Sequence, residues 1–153
     1  MGGKECGMII ENQIAVAIAA YLTAQTVTND PTIISGMVTD LNDEATSRIV
    51  VIGTESTLRK ASLPGLFDVS GTVNVIQSVD ETGGDTKFHE MCDAMESILG
   101  ARNATKAALM AIDTDLFIYS WQWLGEIPAA NNRKFMASYN WTAFARNSPN
   151  TTT

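Results

Sequence analysis

Between Phe67 and Val79, apolar and polar residues alternate. Phe67, Val69, Val73, Val75 and Val79 stand against Asp68, Ser70, Thr72, Asn74 and Ser78, and only Ile76 and Gln77 break the period. Successive side chains of a strand point to opposite faces, so this spacing dictates a strand with one dry and one wet face. The polar row cannot be core. Its face of the sheet must look at solvent, a channel or another subunit, and the dry face must be covered by other elements of the chain.

The cover comes from helical periodicity. Ile10, Ile14, Ala17, Ile18, Tyr21 and Leu22 recur on one stripe, predicting a helix from about Glu5 to Ala24. Asp85 is placed as an N-cap ahead of Phe88, Met91, Cys92, Met95, Ile98 and Leu99, with Gly100 as the stop. A short helix is expected from Ala104 to Ile112. Between these lie a short strand within Thr32 to Val38 and the β-branched run Arg48 to Thr54, which suits a strand covered on both faces. Two aromatic strands close the chain, Leu116 to Leu124 and Lys134 to Arg146, separated by a loop holding Gly125, Pro128, Asn131 and Asn132. In the first, Phe117, Tyr119, Trp121 and Trp123 are expected on one face; in the second, Phe135, Tyr139 and Trp141 share a face with Ala137, Ala143 and Ala145. This order reads as an α+β fold, a mainly antiparallel sheet of four to five strands with two or three helices on one face. Residues 1–147 are expected to form a single domain and 148–153 a flexible C-terminal tail.

Composition narrows the function. The 153 residues are 45% hydrophobic, too apolar for a disordered chain. The 17 acidic residues against 10 basic ones leave a formal charge of -7, so no overall positive field attracts phosphate backbones. The apolar heart Ile14 to Leu22 is too short to span a bilayer. Lys4 is offset by Glu5 and followed by Glu11, which does not make a signal peptide. The opening MGGKEC has Cys6 where a myristoylation signal wants Ser or Thr. Asn103, Asn140 and Asn150 each open an N-x-T triplet, which matters only in a secretory compartment.

Candidate chemistry is sparse. His89-Glu90 begins like the HExxH metal helix, but the second histidine position is Asp93, and the chain has one histidine. Cys92 lies three residues from His89, yet it belongs to the apolar stripe with Phe88 and Met95, where a thiol packs as core. Cys6 and Cys92 fit no CxxC spacing, so neither structural zinc nor disulfide dependence is implied. Gly83-Gly84-Asp85 before a helix offers amides to an anion, but Asp80, Glu81 and Asp85 would repel it, and the calcium-loop pattern is absent. Trp121, Trp123 and Trp141 suit cross-strand packing or a subunit contact better than a ligand platform. No nucleophile with its base, no paired carboxylates and no phosphate loop stand out. No catalytic, cofactor-binding or metal-binding residue is assigned, no cofactor is expected, and the chain is read as a non-enzyme whose work is assembly.

The element order, with Arg48-Ile49-Val50-Val51-Ile52-Gly53, Gly71-Thr72-Val73-Asn74-Val75-Ile76, Gly83-Gly84-Asp85-Thr86 and the closing Arg133-Lys134-Phe135-Met136-Ala137-Ser138-Tyr139-Asn140-Trp141, resembles the tail terminator (tail completion) proteins of tailed bacteriophages over roughly Ile10 to Arg146. The long interval Asp30 to Ser47 and the Ala104 to Ile112 segment depart from that pattern. The resemblance implies helices over one face of a mainly antiparallel sheet. It also implies a homohexameric ring in the virion, assembled in the host cytoplasm, which caps the tail tube and joins the tail to the neck or head-closure protein. DNA would pass through the lumen without specific binding, and no membrane is involved. A head-closure or adaptor neck protein is the neighbouring alternative, and a small α+β ligand-binding domain or enzyme is the alternative of a different class.

Overall fold

The computed structural model describes residues 9–35, 47–58, 65–78, 83–131 and 134–147. In chain order the elements are α1 (Ile10–Ala24), β1 (Thr32–Ser35), β2 (Ser47–Leu58), β3 (Leu66–Ser78), α2 (Gly84–Leu99), α3 (Arg102–Ile112), β4 (Leu116–Asn131) and β5 (Lys134–Asn147). The five strands form one sheet in the order β1-β2-β3-β5-β4. β1 runs parallel to β2, and every other neighbouring pair is antiparallel. The expected α+β architecture is the one found.

The helices lie on one face, and their apolar stripes explain why. Ile10, Ile14, Ala17, Ile18 and Leu22 of α1 are buried against Ile49, Val51, Val73 and Val75, the inward residues of β2 and β3. α2 adds Phe88, Met91, Cys92, Met95 and Leu99 to the same core, and Phe88 stacks on Phe135 of β5 with ring centroids 5.5 Å apart. β5 alternates as its sequence requires: Ala137, Tyr139, Trp141, Ala143 and Ala145 are all buried, with half-buried residues between them. The last carbonyls of α2, which have no partner within the helix, are satisfied from outside it. Trp121 Nε1 donates to Leu99 O at 2.7 Å, and Thr105 Oγ1 donates to Ile98 O at 2.9 Å.

Two glycines set how closely these layers approach. A Cβ on Gly53 would lie 2.8 Å from Glu11 Cβ and closer still to the Glu11 carbonyl, so the first turn of α1 rests directly on the β2 backbone. Gly71 pairs with Gly53 on one side and Trp141 on the other. The Trp141 indole occupies the space its missing side chain leaves, with Cε2 2.6 Å from where a Cβ would stand.

Several boundaries differ from the sequence reading. The helix placed from Glu5 begins at Ile10, with Ile9 extended at φ -68°, ψ 155°. The part of the β1 region beyond Ser35, Val79 and the 148–153 tail lie outside the described residues. β2 runs past Thr54 to Leu58 because the start of β3 pairs with it across a bulge between Gly53 and Glu55, although Glu55-Ser56-Thr57 carries no apolar run. Asp85 is not the N-cap of α2. Gly83 is, with left-handed backbone at φ 73°, and Asp85 instead accepts the Thr86 N–H at 2.8 Å. The short helix begins at Arg102. The loop expected at Gly125 and Pro128 is strand: β4 continues to Asn131 after a bulge between Trp123 and Glu126. Gly125 takes φ 91° there, and a proline is tolerated because β4 is an edge strand.

Candidate functional site

No described helix covers the second face of the sheet. β3 turns Ser70, Thr72 and Asn74 toward it, and β5 sets Thr142, Asn140 and Ser138 directly opposite them. All six are half-buried. Neighbouring side chains hold one another: Asn74 Nδ2 donates to Thr72 Oγ1 at 3.3 Å, Thr142 Oγ1 donates to Gln122 Oε1 of β4 at 3.4 Å, and Thr54 Oγ1 donates to the Ser70 carbonyl at 3.0 Å. At one end the face dips into an open groove of about 340 Å³ walled by Glu55, Asp68, Ser70, Ser120, Gln122 and Thr142. Hydroxyls, amides and two carboxylates hydrate the groove, and the positive charge of this face lies outside it, at Arg146 beside Phe117 and at the buried Arg48. Toward the β1 side the same face is apolar, with Val50 and Ile76 buried beside a buried Arg48. The Ile76 and Gln77 interruption resolves into two roles. Ile76 joins that apolar patch, while Gln77 is on the helix side, fully buried, and accepts a hydrogen bond from Ser47 Oγ.

Beside the groove lies a feature that the sequence periodicity misplaced. A register shift between Ile118 and Ser120 puts a bulge at Tyr119. Leu116, Ile118 and Trp121 therefore point into the core, and Phe117 and Tyr119 are left exposed at 49% and 44%. The expected single face of Phe117, Tyr119, Trp121 and Trp123 is thus wrong: a bulge carries one extra residue and reverses the alternation beyond it. The displaced rings cluster, with Phe117 5.8 Å from Tyr119 and Tyr119 5.5 Å from Phe144, centroid to centroid. The Arg146 guanidinium lies 5.3 Å over the Phe117 ring, and its buried Nε makes no hydrogen bond.

The residues singled out in sequence do not converge. His89, Glu90 and Asp93 are exposed on the outer side of α2, whereas the Cys92 thiol is buried in the core. Glu90 accepts a hydrogen bond from Asn29 Nδ2 at 3.1 Å, which ties the turn after α1 to α2. Among the described residues, no three His, Cys, Asp or Glu side chains gather as a metal-ligand set. Gly83 is exposed, Gly84 is packed under the Ser78 carbonyl, and Asp80 and Glu81 lie outside the described residues. Trp121 and Trp141 stack at 5.5 Å and 17° with no exposure, and Trp123 stacks on Tyr139 at 4.9 Å. The tryptophans are core packing, and the ligand-platform alternative falls with the burial of that pair. No described helix is long and apolar enough to cross a membrane.

No family model and no curated protein matches the chain. Among solved structures, a chain from the virion of a native gene transfer agent particle is similar, with a TM-score of 0.53 at 12% identity, covering 87% of this chain and 97% of that one. At that identity the likeness is one of fold.

Proposed function

We propose that this protein is a structural subunit of a phage-type virion, a tail terminator that forms a six-membered ring, caps the tail tube and joins the tail to the neck. The observation that carries this reading is the polar, half-buried sheet face with no described helix over it. An antiparallel sheet can leave such a face to water in a monomer, but in a ring whose lumen conducts DNA the same face has a task, because its hydroxyls and amides hydrate the wall without forming durable ion pairs with phosphate. The fold shared with a chain of the gene transfer agent virion supports a place in a particle of that kind, and the formal charge of -7 per chain favours a passage that does not grip DNA. A head-closure or adaptor ring of the neck is the alternative reading, and it would differ in the partners the ring meets.

The test is assembly. Negative-stain microscopy of the purified protein, alone and mixed with tail tubes, should show rings, and particles capped at one end of each tube. Rings that bind tubes support the terminator role, and rings that bind only neck components shift the assignment to the adaptor role. A protein that remains a single copy on every partner removes the reading.

A further inference from the structure

We propose that neighbouring copies of this chain exchange α1: the helix leaves its own sheet at the turn 25–30 and seats in the same place on the next copy. This rests on the ring-subunit reading and supplies the contact that would close the ring. The turn carries the strain that favours exchange. Thr26, Asn29 and Asp30 take φ values of 54°, 70° and 49°, and among the described residues no other non-glycine residue has positive φ. Left-handed backbone is costly for an L-residue, most of all for a β-branched one such as Thr26. An extended hinge removes that cost, and Thr26-Val27-Thr28 is a run of residue types that favour extended backbone. Two contacts hold the strained turn closed. Val27 is buried, and Asn29 Nδ2 donates to Lys87 O at 3.3 Å and to Glu90 Oε1 at 3.1 Å. The turn is not packed solid, since an open groove of about 270 Å³ lies beside it, walled by Leu22, Thr23, Pro31 and Ile33.

The seat identifies the occupant, because it is built for this helix. Ile10, Ile14, Ile18 and Leu22 fill the core against β2 and β3, and the first turn of α1 rests in the space left by Gly53. Ser56 Oγ donates to Glu11 Oε1 at 2.7 Å, and Gln13 Nε2 donates to Asp113 Oδ2 at 3.0 Å. Exchange remakes these contacts between copies, so the closed and exchanged forms differ in the hinge and in the entropy of association. Strain in the hinge then decides the balance, and short hinge loops under strain invite exchange of this kind. Charge does not oppose it: each copy carries -7, but residues 12–29 contain no Asp, Glu, Lys or Arg. Extended, the six hinge residues span about 20 Å, and they leave α1 beside β1, the edge strand of the sheet. Each copy gives one helix and receives one. Such a contact is heterologous, and its repetition closes a ring. α1 belongs to the helix layer, so the open sheet face stays uncovered for the lumen.

The experiment asks whether α1 is seated on its own copy or on a neighbour within assembled protein. In a Cys6→Ser background, Gln13→Cys with Asp113→Cys places two thiols across the α1 contact, and a short bis-maleimide joins them after assembly; the remaining thiol, Cys92, is buried. On a denaturing gel, exchange gives a ladder of covalent oligomers, whereas a helix kept on its own copy gives cross-linked monomers. If circular dichroism shows that this pair does not fold, Glu11→Cys with Ser56→Cys reads the same contact. Independently, Thr26→Gly with Asp30→Gly relieves the strain of the closed form and should weaken self-association by about tenfold or more in sedimentation velocity. Cross-linked monomers within intact rings overturn the exchange and leave the ring reading standing. Self-association unchanged in the glycine variant also overturns it, because hinge strain then does not drive the contact. A wild-type chain that stays monomeric throughout, with and without tail tubes, removes the ring reading itself.

Discussion

Replacing Gly71 with alanine places one methyl group where the Trp141 indole already is. The new Cβ would stand 2.6 Å from Cε2 and closer to both Cζ2 and the Ile52 carbonyl oxygen, so neither side offers room. Trp141 is fully buried and stacked on Trp121, whose Nε1 holds the Leu99 carbonyl at 2.7 Å, and moving the first ring disturbs all three. Overfilling a packed site of this kind costs about 1 to 3 kcal/mol, toward the upper end when the obstacle is held on both sides. The loss of chain freedom in the unfolded state returns about 0.5 to 1 kcal/mol. The net loss is about 2 kcal/mol, which lowers Tm by about 4 to 8 °C for a chain of this size. Urea unfolding followed by tryptophan fluorescence and circular dichroism measures it. Trp141→Phe supplies the control: its Nε1 makes no hydrogen bond, so phenylalanine removes only ring volume. In that background Gly71→Ala should cost at least about 1 kcal/mol less. A Gly71→Ala variant as stable as wild type, or strictly additive effects, would refute the account of that contact.

Three further outcomes are expected. Cys92→Ala should cost about 1 to 2 kcal/mol through a small cavity in the α2 stripe, and the native thiol should label slowly with a thiol reagent until the protein is unfolded. Trp121→Phe should cost about 1 to 3 kcal/mol, because it leaves the Leu99 carbonyl buried without its donor; a loss confined to a few tenths would show that the bond is replaceable. Titration with duplex DNA at physiological salt should give a Kd weaker than about 1 μM, and tighter, steeply salt-dependent binding would revive a DNA-gripping role.

What the sequence discloses depends on whether the alternation is regular. β5 was legible because Ala137, Tyr139, Trp141, Ala143 and Ala145 keep a period of two without interruption, and α1 and α2 because their apolar residues keep a helical spacing. β4 departs from its sequence pattern twice. The bulge at Tyr119 is set by pairing with β5 and no local residue preference announces it, while the one before Glu126 holds Gly125 at φ 91°, a glycine that reads in sequence as a turn as readily as a bulge. The first reversed the facing of Phe117 and Tyr119 and hid the exposed corner. The second made Gly125 and Pro128 look like a loop. The wet face of β3 was legible as a surface without a core role, but that Thr142, Gln122 and Asn140 extend it required the strand order. Gly53 and Gly71 gave no sign of their function, since a glycine that admits a neighbouring backbone or ring looks like any other until that neighbour is placed.

The sheet order has a consequence for how the protein is made. β5 is the last of the described strands, yet it lies between β3 and β4 and supplies Tyr139 and Trp141 to the core. While the chain emerges from the ribosome, α1 to β3 can associate, but β3 keeps an open edge and the dry side lacks its largest rings. Contacts between distant parts of a chain form late, and here the late contact is the central one. A chain ending before Lys134 would therefore lose the middle of its sheet along with its tail. Such a product would aggregate or be degraded, and only copies translated through β5 would present the finished sheet.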